Sequence, residues 1–186
     1  GANVVVNDLG GAINGTGATT SPADEVVAEI TKAGGKAVAN YESVADFNAA
    51  EKIIKSCVDN FGKIDILVNV AGILRDRMVF NMSEEEWDAV LKVHLYGMFN
   101  TSRHACALMR QQRSGRIINI TSDAWVSTVG HVNYGAAKGG IVTLTKSMAR
   151  EMGRYGITCN AIAPMAATRL VLSEENKDAS LLKVYM

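Results

Sequence analysis

Five short apolar runs alternate with longer stretches of helical periodicity, and this alternation constrains the fold more than any other feature of the chain. Asn3–Asp8, Lys36–Tyr41, Ile64–Asn69, Gly115–Ile120 and Ile157–Ile162 read as strands, apolar on both faces. Such strands belong in a sheet covered on both sides, and with helices between them the sheet is parallel. Ser21 followed by Pro22 reads as an N-cap with proline at the first helical position, opening a helix that stops at Gly34-Gly35. A second helix spans about 46–61 and closes at Gly62. Ser83 and Glu86 form a capping box that opens a long helix to about Arg113, and a last helix covers about 132–155. The expected architecture is α/β: one doubly wound, Rossmann-type domain over residues 1–186, with no internal repeat or linker.

Composition excludes several function classes. The apolar fraction of 48% suits a sizeable core, and 19 basic residues balance 19 acidic ones. That balance points away from nucleic acid and anionic membranes. No apolar run reaches the roughly 18 residues of a membrane span, and no secretion signal is expected. Cys57, Cys106 and Cys159 are odd in number and lack metal-ligand spacing. They read as small buried hydrophobes in a reducing, cytoplasmic compartment, with no metal expected.

The chemistry-bearing residues cluster late in the chain. Tyr134 and Lys138 stand four apart, on one face of a helix. A free phenol has a pKa near 10, and a neighbouring ammonium favours the phenolate. Ser122, after the run Arg116–Thr121, offers a hydroxyl to hold a substrate oxygen while Tyr134 moves the proton. Gly135, Ala136, Ala137, Gly139 and Gly140 allow close packing by a helix neighbour or a flat cofactor.

Asp8 ends the first strand, where a carboxylate can bind a ribose 2′-hydroxyl and repel a 2′-phosphate, which favours NAD over NADP. Gly11–Gly17 is better read as a flexible surface loop than as a phosphate cradle, because some twelve residues separate Asp8 from Ser21. Asn69-Val70-Ala71-Gly72 places small residues at a strand's C-terminal end, which suits close ligand approach. Arg75, Asp76 and Arg77 either bind an anionic substrate group or pair at a subunit boundary. His94 lies mid-helix on an apolar face, whereas His104 and His131 read as structural or surface residues.

Jointly, Asp8, Asn69–Gly72, Ser122, Tyr134 with Lys138, and Asn160-Ala161-Ile162-Ala163-Pro164 resemble the short-chain dehydrogenase/reductase superfamily over nearly the whole chain. The stretches 4–11, 37–41 and 72–77 are similar to its (3R)-hydroxyacyl-CoA dehydrogenase branch, found in peroxisomal multifunctional enzymes of type 2 and in bacterial relatives. The resemblance implies an NAD-dependent enzyme for a secondary alcohol or ketone, with a 3-hydroxyacyl-CoA as one substrate. Its alternatives are a carbonyl or steroid reductase and a non-catalytic scaffold. It implies Tyr134 as general acid/base, Lys138 on the nicotinamide ribose, Ser122 on the substrate oxygen and Asp8 on the adenine ribose. Ser43 and Val44 would line the adenine pocket; Asn69, Ala71 and Gly72 would border the cofactor; Pro164 and Met165 would meet the carboxamide. His94 stands where the family's relay asparagine is usual. The helices at 83–113 and 132–155 would pack against a second subunit in a homodimer or homotetramer, and a eukaryotic multifunctional enzyme would be peroxisomal.

The chain also departs from the family pattern. The loop before Tyr134 is one residue short of many relatives, so counting back reaches Thr121, a fallback for Ser122. Val70 replaces an asparagine, and Met165 stands where glycine is usual. The family's first strand and Gly-rich loop are not in this sequence, so it is expected to be a piece of a protein of about 250–300 residues. The second and fourth strands of the family order must then close a gap or keep unpaired edges.

Overall fold

The computed structural model describes residues 1–126 and 128–164. The expected order is present: β1 (Asn3–Asn7), α1 (Ser21–Lys32), β2 (Lys36–Asn40), α2 (Phe47–Phe61), β3 (Ile66–Asn69), α3 (Glu84–Leu91), α4 (Gly97–Gln112), β4 (Gly115–Ile120), α5 (Val132–Met152) and β5 (Ile157–Ile162). Every strand pairing is parallel. The strands form two sheets, β1-β2 and β3-β4-β5. Of the two outcomes expected for the gap, the edges of β1 and β3 therefore stay unpaired among the described residues. Ile66 and Val68 of β3 are accordingly 56% and 50% exposed.

Local signals act largely as read. Ser83 and Glu86 close a capping box at α3. Asp46 caps α2 through Ala49 N at 2.7 Å, and Gly62 ends it in the left-handed region at φ 83°. Ser21 is not the N-cap of α1: Thr20 holds that place without a side-chain bond, and Ser21 Oγ instead donates to Glu25. The long helix from Glu84 to Gln112 is interrupted by a π-turn at Lys92–Tyr96, which periodicity alone does not reveal.

The main core lies where α2, α4 and α5 meet β4 and β5. Ile54, Ile64, Ala105, Met109, Ile117, Ile157 and Cys159 form it. Gly115 lets Met109 lie against the sheet, since a Cβ there would meet its sulfur at 2.4 Å. The three cysteines are free; Cys159 is buried and the other two are half-buried. No described helix is long and apolar enough to cross a membrane.

Candidate active site

β4 ends at Ile120, and the chain turns through Thr121 and Ser122 into a short 3-10 turn, Asp123–Trp125. α5 then runs back beside this end of the sheet. Lys138, buried on its inner face, donates from Nζ to Ile120 O at 2.8 Å, with the ammonium 5.3 Å from the centre of the Tyr134 ring. From the π-turn, His94 meets Tyr134 edge-on, ring centroids 5.1 Å apart. Ser122, Tyr134, Lys138 and His94 therefore converge at the C-terminal end of β4, where parallel α/β sheets offer their ligand crevice.

The electrostatics differ from the sequence expectation. The Tyr134 phenol is pushed up from its ordinary value, chiefly by burial; the Ser122 hydroxyl opposes the rise, while Asp123 and Asp76 add to it. The Lys138 ammonium, 5.3 Å from the ring centre and bonded to the Ile120 carbonyl, does not outweigh that rise. Burial in turn brings Lys138 down to about 8. Burial, and then the Lys138 charge, bring His94 down to about 4, so its imidazole is neutral at pH 7. Its Nε2 lies 3.0 Å from Ile73 N and 2.8 Å from Ile73 O, and its buried Nδ1 has no partner among the described residues. A Cβ on Gly72 would stand 2.4 Å from the His94 ring, so glycine is required for this approach.

Thr121 and Ser122 are distinguished by their bonds. Thr121 Oγ1 donates to Lys138 O at 2.9 Å and is buried, a use internal to the fold. The half-buried Ser122 hydroxyl donates to Asp123 Oδ1 at 3.1 Å. The small residues of α5 meet the chain itself: Gly135 abuts Ala124 O, and Gly140 abuts Leu95.

The other candidate residues divide. Val44, Asn69 and Ala71 line one narrow cavity with Val93, Gly97 and Met98. Ser43 precedes Val44 and accepts Ala45 N at 3.2 Å. Asp8 lies in the β1-β2 half, half-buried, with Oδ1 accepting Gly10 N at 2.7 Å. Gly72 is exposed, as is Pro164 beyond β5, and Met165 lies outside the described residues. The side chain of Asn69 faces inward rather than toward a ligand: Nδ2 donates to Asn119 Oδ1 at 2.9 Å, and Oδ1 accepts Thr101 Oγ1 at 2.7 Å. The Gly11–Gly17 loop is not a cradle leading into a helix. It lies on the 73–75 segment, with Ile13 O accepting Leu74 N at 2.9 Å and Asn14 O accepting Arg75 Nε at 3.0 Å. Arg75, Asp76 and Arg77 pair within the chain, with Glu85, His131 and Glu86.

Sequence reasoning missed the buried polar ladder that supports the site. From Asn69 it continues through Asn119, whose Nδ2 donates to Thr145 Oγ1 at 2.9 Å. The available signal was an asparagine on the buried face of the apolar run 117–120. Asn133 was missed too. It is fully buried, donates to Arg75 O and Glu86 O, and accepts Tyr134 N at 2.8 Å. A cavity of about 480 Å³ lies away from this chemistry, at the C-terminal ends of α4 and α5, lined by Arg110, Arg150 and Arg154 among others. It is about 24 Å along α5 from Tyr134.

Residues 7–179 match the short chain dehydrogenase family. The chain is 53% identical over 171 residues to a short-chain type dehydrogenase/reductase of Mycobacterium tuberculosis, covering 91% of this chain and 60% of that protein. It is 48% identical over 183 residues to the peroxisomal multifunctional enzyme type 2 of Mus musculus, covering 96% of this chain and 24% of that protein. A crystal structure of a short chain dehydrogenase from Mycobacterium avium superposes with a TM-score of 0.83 at 50% identity, covering all of this chain and 68% of that one. The chain thus spans less than two thirds of these two relatives' own length. With the family's match over most of the sequence and the shared fold, this chain belongs to the short-chain dehydrogenase family.

Proposed function

We propose that the chain is the dehydrogenase part of an NAD-dependent oxidoreductase that interconverts a secondary alcohol and a ketone, with 3-hydroxyacyl-CoA thioesters as the substrate class. The observation that carries this reading is the meeting of Ser122, Tyr134, Lys138 and His94 at the end of β4. The substrate class draws on a 45% identical hydroxyacyl-CoA dehydrogenase of Mycobacterium tuberculosis and on the mouse multifunctional enzyme. The residues present fit a dinucleotide in part. The half-buried Asp8 carboxylate keeps one oxygen free of intrachain bonds among the described residues, and Ala71 and Gly72 leave backbone exposed at the sheet's C-terminal end. Asp8 would hold the adenine ribose, Ser43 and Val44 the adenine, and Lys138 the nicotinamide ribose; NAD supplies the hydride acceptor.

Ser122 Oγ would orient the substrate oxygen. Tyr134 would take the alcohol proton in oxidation and return it in reduction. Its raised pKa keeps it protonated at neutral pH, the form that serves reduction. As the phenol loses its proton, the Lys138 ammonium nearby stabilises the charge. His94 is neutral, and its buried Nδ1, without a partner among the described residues, is suited to bond a water that hands protons on from the Lys138 side. Exposed Tyr96, Phe99 and Val132, within 84–112 and 132–152, support pairing with a second copy; the compartment would be the cytoplasm, or the peroxisome for a eukaryotic enzyme.

Quenching of protein fluorescence by NADH tests cofactor binding, and reduction of NAD with a panel of 3-hydroxyacyl-CoA, steroid and simple secondary alcohols tests the substrate. Quenching at micromolar NADH together with turnover of the thioesters is expected. No binding by this chain would sink the claim that these residues form a working site on their own, and turnover of steroids alone would move the substrate class. Light scattering that shows only monomer at micromolar concentration would remove the pairing.

A further inference from the structure

The triplet Arg75-Asp76-Arg77 offered two readings from sequence, and its central residue has a third use. Asp76 Oδ1 lies 2.8 Å from His131 Nδ1. His131 is the residue just before α5, three positions ahead of Tyr134, and its ring centroid is 6.2 Å from that of Tyr134. Backbone contacts lock the two segments together around this pair. Arg77 N donates to Gly130 O at 2.8 Å, Arg77 and His131 form a parallel bridge, and Asn133 Nδ2 donates to Arg75 O at 2.9 Å. The position of Asp76 relative to the phenol is therefore set by the start of the helix that carries the phenol.

We propose that His131 is a positioning residue that holds the Asp76 carboxylate near Tyr134, where its charge adds to burial in favouring the phenol over the phenolate. This rests on the reading of Tyr134 as the acid/base, and it names one charge that biases the residue toward its acid role. A nearby negative charge disfavours the phenolate. Asp76 acts on Tyr134 in that sense, as does Asp123 from the turn after β4. The other groups facing the phenol are Lys138 on its own helix and His94 from the π-turn. Around the pair, Arg75 and Arg77 are occupied by Glu85 and Glu86, which leaves His131 as the partner of Asp76. The same contact raises the His131 pKa, chiefly through the hydrogen bond to Asp76. Where the phenol itself loses its proton, His131 is neutral and acts as a tether rather than as a charge.

The test is direct titration of Tyr134 in the free protein, by carbon NMR of labelled tyrosine, with Tyr134→Phe identifying the signal. Asp76→Asn and His131→Ala are both expected to lower the Tyr134 pKa by a few tenths of a pH unit, roughly one charge acting across several ångströms in a wet site. His131→Gln keeps a donor for Asp76 and is expected to leave the phenol where it is. An unmoved phenol in Asp76→Asn, or equal behaviour of His131→Ala and His131→Gln, overturns the proposal. In the unaltered protein the His131 imidazole should titrate above 6.5. If it titrates at or below that value, the pair does not form in solution and the proposal falls, whether or not the variants fold. Activity separates the two readings. If the alcohol-oxidation profile moves to lower pH with the phenol, Tyr134 is the base. If the phenol moves and turnover does not, the tether stands and the catalytic assignment fails.

Discussion

The β3-β4-β5 half and the β1-β2 half are built from the same parallel-strand grammar, yet they are held together differently. In the first, β4 buries Gly115, Ile117 and Asn119 on one face, and a satisfied polar ladder ties Asn69, Asn119 and Thr145 to two helices. In the second, neither strand contains a buried residue. That half is anchored largely through α2 and its neighbours: Asn100 Nδ2 donates to Val44 O at 2.9 Å, His104 lies 3.1 Å from Phe47 O, and Phe47 stacks beside Phe99. The groups proposed to handle the proton sit in the well-buried half, and the residue expected to choose the cofactor, Asp8, sits in the other. Precise positioning is concentrated where the proposed chemistry would demand it, and the proposed cofactor recognition falls in a half with fewer buried contacts, which is expected to open at lower cost.

The largest expected effect isolates the chemistry of the first half. Tyr134→Phe should cut turnover by about 10²–10⁴-fold while the thermal unfolding curve stays within a degree or two, on the usual size of general acid/base contributions. A loss under about twofold would remove Tyr134 from the mechanism.

Next comes pH. The folded pKa of His94, about 4, lies below its ordinary 6.5. Folding therefore favours the neutral imidazole: its contribution is whole above pH 6.5 and is lost as pH falls toward 4, a change on the order of 3 kcal/mol at most. His131, shifted the other way, is stabilising at low pH and loses that effect as pH rises through its raised pKa, so it offsets part of the change. Urea midpoints should fall between pH 7 and pH 5, and His94→Gln should flatten the fall; an equal slope in that variant would contradict the burial of the ring.

Within the ladder, Asn119→Ala leaves the Asn69 amide and the Thr145 hydroxyl short of a partner and should destabilise by roughly 2–3 kcal/mol in urea unfolding. The smallest effect sharpens the contrast most. Asn100→Ala removes one link between the halves, worth about 1 kcal/mol. Hydrogen exchange should quicken in residues 3–7 and 36–40, with β4 unchanged; uniform quickening would mean that the halves open as one unit.

The element order was legible because strands apolar on both faces and clear caps such as Ser83 and Gly62 report local physics. Ser122, Tyr134 and Lys138 were legible because they stand at marked places, a strand end and a helical i,i+4 pair, whereas a lone histidine on an apolar helix reads as a core residue and His94 stood out only through the family resemblance. The pairing of Asp76 with His131 was not, since 55 residues separate them and neither belongs to a local pattern. The upward push on Tyr134 was equally hidden, because spacing tells which groups are neighbours but not how deeply they lie or which carbonyl claims the lysine. Counting strands against the family order named the edges at risk, but whether they would close on each other or stay bare is a matter of tertiary packing.

The π-turn at Lys92–Tyr96 has a consequence for how this chain tolerates changes of length. A π-turn is an α-helix holding one residue more than its ladder needs. The helices on either side therefore keep the faces they would have if one residue were missing. A single-residue deletion within 92–96 should be nearly silent to the packing of Glu84–Leu91 and Gly97–Gln112, while withdrawing the turn that points His94 at Tyr134. At this point a frame-preserving loss of one codon would spare the scaffold and strike the site.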